Sequence, residues 1–239
     1  MTVTTSSLPI PAPREDGRRR KARRTREALA AAALELVLRD GPDEVTVAAI
    51  ADRADVARRT FSRYFGSKEE AALDFVREDG SRINALLRER PAAEPPLVAY
   101  RRAVACWLTD RDTPASHHRP GIRALLALLD GDPALFGAYQ RIRVDAQAES
   151  VAIVAARLGV DATRDPRPAV AVDSAAAVLT AALRMWAGSA AVAGPEGPDG
   201  PDGPEGLDDL TALVERSYDA LMTEAAHAAG HEAESARRK

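Results

Sequence analysis

The sequence is short of cysteine. Cys106 is the only one in 239 residues, which excludes an intramolecular disulfide and a cysteine-based zinc cluster. Aromatic residues make up only 4% of the chain. With alanine abundant, that favours closely packed helices over sheets. No uninterrupted apolar run approaches the roughly 20 residues needed to cross a bilayer. The N-terminus also lacks the continuous apolar segment of a secretory signal. No membrane contact and a cytoplasmic location are therefore expected. A glycine-rich phosphate loop, a nucleophile with a recognisable base and paired carboxylates in a defined setting are all missing, so nothing supports an enzyme. His117 and His118 lie in a polar loop and read as ordinary surface residues. Without further ligands at useful spacing they make a poor metal site, and neither metal nor cofactor is expected.

What is present begins with charge. The net charge is −3, but it is unevenly spread. Residues 1–68 hold 14 Lys and Arg against 9 Asp and Glu, and the remainder is acidic. A basic head on an acidic body fits a nucleic-acid-binding head.

The densest information lies between Thr46 and Glu70, TVAAIADRADVARRTFSRYFGSKEE. The pattern predicts a helix from Thr46 to about Arg53 and a tight turn at Ala54-Asp55-Val56. A second helix should run from about Ala57 to Phe65. Ser67 opens a third, with Glu70 placed to complete a capping box. Two helices across a short turn form the helix-turn-helix unit, whose second helix enters the major groove of DNA. Val56, Phe61 and Phe65 can face inward. Arg58, Arg59, Thr60, Ser62 and Arg63 then face outward, where arginine suits phosphates and the guanine edge. Tyr64 and Lys68 flank that face and could grip phosphate oxygens. The plain alternative is a solvated basic face on a small core helix.

Thr46, Ile50-Ala51, Ala54, Val56, Thr60, Tyr64-Phe65 and Lys68-Glu69 together resemble the signature of the TetR family of transcriptional repressors, over Arg24 to about Phe75. The resemblance implies that Thr46 touches backbone phosphate, that Arg58, Arg59, Thr60 and Arg63 sit in the groove, and that Tyr64 and Lys68 clamp phosphates. Two positions depart from it. Asp55 stands where glycine is usual, and it tolerates a left-handed turn at some cost. Ala57 stands where a capping serine is common, so the recognition helix should start less firmly.

The rest of the chain reads as all-α. Residues 1–17, rich in Ser, Thr and Pro, are expected to be a disordered arm. A first helix spans about Gly17 to Asp40, burying Leu29, Ala32, Ala33, Leu36 and Val37. Its basic run, Arg18-Arg19-Arg20-Lys21 with Arg23, Arg24 and Arg26, is read as reaching phosphates or a minor groove; the plain alternative is a nuclear-localisation-like or solubilising tail. Gly41-Pro42 stops it. The helix-turn-helix domain is 18–66, and a helical effector-binding and dimerisation body is 67–230. Ser67 to about Arg90 should be one long helix, bending if anywhere at Gly80. Further helices follow at Leu97–Thr109 and Gly121–Leu129, and from Asp132-Pro133 to Leu158 with Gly159 as stop. The next runs from 168 to about 190. An acidic Gly-Pro loop at 194–206 precedes a helix from Leu207 to about Ala229, and 231–239 is a frayed tail.

Val172, Leu179 and Trp186 in one late helix, and Leu210, Val214 and Leu221 in the other, repeat close to heptad spacing. They could complete one chain's core. The family resemblance implies instead that they pair with a second copy in a homodimer, which would double the contacts to a palindromic duplex. The resemblance also implies a small-molecule pocket between 97 and 158. Its candidate lining is Cys106, Trp107, Leu125, Leu128, Phe136 and Tyr139, each of which could equally be plain core. The body further resembles members sensing acyl-CoA-like ligands, whose phosphates would meet Arg101, Arg102, Arg119 and Arg123. Two readings follow besides an enzyme: a ligand-responsive dimeric repressor, or a DNA-binding dimer without an effector.

Overall fold

The computed structural model describes residues 17–192 and 209–237. The expected arm, the acidic Gly-Pro loop and Leu207 fall almost wholly outside these residues. Among the described residues there are ten α-helices and one short 3-10 turn, and no strand.

Helix α1, Gly17–Asp40, buries the five residues its periodicity selects. Gly41 ends it at φ 87°. Helix α2, Val47–Arg53, starts where Thr46 caps it: the hydroxyl oxygen accepts from the Ala49 N–H. Asp55 takes the left-handed conformation at φ 53°, the turn required between α2 and α3, Arg58–Phe61.

Helix α3 is shorter than expected. Beyond Phe61 the chain tightens, with the Arg63 N–H donating to Thr60 O and the Tyr64 N–H to Phe61 O, the pattern of a 3-10 turn. Ala57 supplies no capping side chain, so nothing local stiffens the start. Phe61 and Phe65 are buried and 5.7 Å apart, so the whole 58–65 segment is nonetheless held on the core.

The long helix expected from Ser67 to Arg90 is broken. Helix α4, Lys68–Ala72, ends at Leu73, and α5, Asp74–Glu89, begins there. The break lies at Leu73 rather than Gly80. Asp74 is buried beside it, and its carboxylate takes two hydrogen bonds from the Arg26 guanidinium, at 2.8 and 2.6 Å. That contact to α1 favours the turn, and no local signal announces it. Gly80 serves a close approach instead: a Cβ there would lie 2.8 Å from the Ala146 Cβ, so any side chain would wedge α5 off its neighbour.

The body continues through α6, Pro96–Thr109, a 3-10 turn at Ser116–His118, and α7, Ile122–Leu128. Helix α8, Pro133–Leu158, is capped by the Asp132 carboxylate and stopped by Gly159 at φ 65°, as the sequence indicates. Helix α9 is Arg167–Val192 and α10 is Leu210–Arg237. Asp209 caps α10 by accepting from the Thr211 and Ala212 N–H groups. The backbone stays helical to Arg237, through residues expected to fray.

Helix α9 is the hub, packing on α6, α7, α8 and α10. Contrary to the expectation of no spanning run, Arg167–Ser189 is long and apolar enough by composition to cross a membrane, with mean hydropathy 1.4. Its Val172, Ala175, Ala182 and Trp186 are buried inside the chain, although only 33% of the most apolar window is.

Candidate nucleic-acid interface and effector cavity

The head brings Arg58, Arg59, Ser62 and Arg63 to the surface on one short segment, with Thr60 and Tyr64 half-buried beside them. Three other exposed arginines of the head are tied to acids: Arg23 to Glu27, Arg39 to Asp40, Arg53 to Glu35. Among the described residues no carboxylate pairs with Arg58, Arg59 or Arg63. Arg63 reaches only the Tyr64 hydroxyl, at 3.3 Å, and lies over that ring. Clustered cations without an internal counter-charge repel one another unless an external anion meets them. Arg19, Arg20, Lys21 and Arg24 are likewise exposed on α1. The first turn of α1 has no acid, although that end of a helix favours negative charge.

Two basic residues turn out to be structural. The Lys68 ammonium donates to Pro42 O at 2.6 Å, to Val45 O at 2.9 Å and to Asp43 O at 3.5 Å. Its three donors therefore pin the loop that leads into α2, and do not project as a phosphate clamp. Arg26 leaves the basic run to bind Asp74, donates to Tyr64 O at 3.3 Å and lies 4.6 Å over the Phe65 ring. It fixes the end of the recognition segment to α1 and α5. At the start of α4, Ser67 Oγ accepts from the Glu70 N–H. The returning bond lands one residue early, from the Gly66 N–H to the Glu70 carboxylate at 3.0 Å.

The body encloses a cavity of about 80 Å³ between α5, α6, α8 and α9. Two of the candidate lining residues, Trp107 and Tyr139, border it. Of the other candidates, Cys106 is exposed, Leu125 is wholly buried in the core, and Leu128 is half-buried away from the cavity. Phe136 is exposed and borders an adjoining cleft of about 50 Å³. Residues that lining predictions missed include Phe75, Asp79, Tyr100, Leu126 and Arg143. A signal for part of the set was available: Tyr139, Arg143, Gln147 and Ser150 recur on one face of α8, a polar stripe on an otherwise apolar helix.

Asp79 is buried at the wall. Its carboxylate accepts from Trp107 Nε1 at 3.0 Å, from the Ser116 N–H at 3.4 Å and from the Ser116 hydroxyl. Burial pushes its ionisation upward against those donors. The Tyr100 and Tyr139 phenols are held neutral by burial as well. The four arginines expected at ligand phosphates are engaged within the chain. Arg101 pairs with Glu215 and Asp219, Arg102 with Glu94, and Arg119 with Glu78. Arg123 donates to Trp186 O and the Ser189 hydroxyl.

His117 is not an ordinary surface residue. Its ring sits 6.0 Å from Trp107, 5.9 Å from Trp186 and 3.9 Å from His118. Burial first, and the neighbouring His118 second, push it down from 6.5 to about 4. A neutral histidine in the fold and a chargeable one in the unfolded chain make stability rise with pH across that window. The melting midpoint is therefore expected to fall as pH drops from 6.5 to about 4. His117→Phe should flatten that part of the curve in thermal melts across the same range; an unchanged slope would assign it to other groups.

The intended interface residues are also placed differently. Val172, Trp186, Leu210 and Val214 are buried within the chain itself, Leu179 lines the cavity, and Leu221 packs half-buried on the core. Among the described residues the large apolar side chains left exposed on these helices are Val170, Met185 and Met222. The seam read from the sequence is the face that α9 and α10 turn toward their own core.

Comparison with known proteins agrees with this geometry. Residues 29–72 match the profile of bacterial regulatory proteins, tetR family. The chain is 37% identical over 172 residues to the HTH-type transcriptional regulator TcmR of Streptomyces glaucescens, across 71% of this chain and 76% of that one. Among solved structures, Thermus thermophilus FadR in complex with lauroyl-CoA is similar at 20% identity and TM-score 0.46, covering 82% of this chain and 93% of that chain. A TetR-family regulator from Streptomyces coelicolor is similar at 22% identity and TM-score 0.45, covering 90% and 88%. The relative matched over three quarters of its length, together with the helix-turn-helix head, settles the assignment: this chain belongs to the TetR family of bacterial transcriptional regulators.

Proposed function

We propose that this chain is a repressor that binds palindromic duplex DNA as a homodimer and lets go when a small molecule enters the body. The observation carrying the DNA contact is the exposed trio Arg58, Arg59 and Arg63, which has no internal counter-charge. In this reading residues 18–66 are the DNA-binding head and 67–230 the effector-binding and dimerisation body. Thr46 and Tyr64 take phosphates, and Arg58, Arg59, Thr60, Ser62 and Arg63 face the groove.

The connection from body to head supports a ligand response. Helix α4 packs on both α1 and α8. Arg141 of α8 lies 3.5 Å from Glu70, the carboxylate that also holds Gly66 just past the recognition segment. Helix α8 meanwhile lines the cavity through Tyr139 and Arg143. A ligand that displaces α8 would move the recognition segment, provided it binds the released state more tightly. The small cavity favours a second reading, a DNA-binding dimer regulated by abundance alone.

Arg59→Ala tests the interface. It is expected to cost about 1–3 kcal/mol on operator DNA and much less on random duplex if Arg59 reads a base. Equal losses on both, measured by fluorescence anisotropy at fixed salt, would make it a phosphate contact. No loss on either would remove the segment from the groove.

A further inference from the structure

The geometry points to a compact apolar acid as the effector, with Arg143 as the group that reads its carboxylate. The inference rests on the reading that the α5–α6–α8–α9 cavity takes a ligand. Ile83, Trp107, Leu126, Leu179 and Leu183 make most of its wall apolar. Nearly every polar group on that wall is already satisfied by the chain. Asp79 has its three donors. The Ser150 hydroxyl donates to Asn84 at 2.6 Å. Gln147 donates to Asp173 at 3.3 Å, and the Thr180 hydroxyl to Ala176 O at 2.8 Å.

Arg143 is the exception. Its Nε meets Gln140 Oε1 at 3.0 Å and its Nη1 meets Thr180 Oγ1 at 3.3 Å, both neutral oxygens. Among the described residues no carboxylate pairs with it and Nη2 has no acceptor. Arg157 is held by three backbone carbonyls away from the cavity, and several other body arginines are neutralised. Arg82, Arg88, Arg90 and Arg101 each reach an acid. A half-buried guanidinium without an anion is unfavourable, and its planar fork matches a carboxylate bidentately. Tyr100 and Tyr139, the phenols nearest it, are held neutral and add no competing negative charge.

Size limits the rest of the molecule. The cavity is about 80 Å³, with the 50 Å³ cleft sharing Leu126, Tyr139, Thr180 and Leu183 as walls. A cavity of about 150 Å³ is known to hold benzene. This cavity has about half that volume, so the ligand is limited to one ring or a short branched chain, and a ring enters only as the surrounding helices give way.

The test uses two shape-matched pairs on the full-length protein at neutral pH: benzoate with benzamide, and 3-methylbutanoate with 3-methylbutanamide. Quenching of the fluorescence of the two tryptophans, Trp107 and Trp186, and calorimetry report binding. At least one acid is expected to bind about tenfold or more tightly than its amide, the value of a charge-assisted hydrogen bond. Arg143→Gln should abolish that preference and Arg143→Lys should retain part of it. An acid and amide that bind equally to the wild type, or a preference that survives Arg143→Gln, would overturn the acid inference and leave a ligand cavity standing. Failure of all four probes to bind would overturn both. Should Arg143→Gln not fold, the wild-type ratio alone still decides.

Discussion

A chain carrying Ala181→Glu and Met185→Glu is expected to sediment as a monomer and to bind operator DNA about 10²–10⁴-fold more weakly. Helix α9 turns Val170, Ala177, Ala181 and Met185 to solvent at spacings of seven, four and four residues. Val170 is 61% exposed and Met185 51%, and Met222 on α10 is 47% exposed. Large apolar side chains at helical spacing on two adjacent helices are a face that a second copy can cover. In a twofold interface both glutamates of both copies would be buried on the shared face, where charge is desolvated without a counter-ion. The monomer would retain one recognition segment and lose the linkage that makes the second contact intramolecular. Its salt dependence should fall with the number of phosphates it touches. Sedimentation velocity, circular dichroism and anisotropy on one preparation separate loss of the dimer from loss of the fold. A dimeric double variant with unaltered affinity would move the interface elsewhere. The proposed dimer would also account for the membrane-like composition of α9: one side is covered by its own chain, and a twin would cover the other.

Arg26→Ala is expected to destabilise the chain by about 3 kcal/mol, because it strands a buried carboxylate. The Asp74 side chain is 4% exposed, and its other cation, Arg77, stands off at 3.8 Å. For a protein of this length that corresponds to a melting midpoint lower by roughly 6–12 °C. The substitution also frees Tyr64 O and uncovers the Phe65 ring, so operator affinity should fall even at temperatures where the head is folded. Replacing both Arg26 and Asp74 by apolar residues should recover much of the stability but not the DNA affinity. A single-variant loss below about 0.5 kcal/mol would mean that Asp74 finds water or Arg77 instead.

These two predictions sit where sequence and structure part. Arg26 belongs to a run of seven basic residues, and only its register with Leu29 and Ala33 on the buried stripe sets it apart from Arg23 or Arg24. Its role comes from Asp74, far along the chain. Lys68 is the same case, since its three carbonyl partners belong to the loop before α2. The α9 and α10 stripes show a further ambiguity. A helix that is apolar on two sides carries two heptad-like seams, and periodicity alone does not tell which one faces inward.

Local chemistry was enough for the ends of the helices. Thr46, Ser67, Asp132 with Pro133, and the glycines at 41 and 159 act on backbone groups within a few residues, so each element start or stop is legible in the chain itself. The five buried residues of α1 follow from its period, and the turn at Asp55 follows from the motif around it. Only packing in three dimensions decided the break at Leu73, the walls of the cavity, the neutral partners of Arg143 among the described residues and the outward face of α9. Those depend on which distant side chains meet, and burial, charge pairing and close approach are properties of pairs that a linear pattern does not contain.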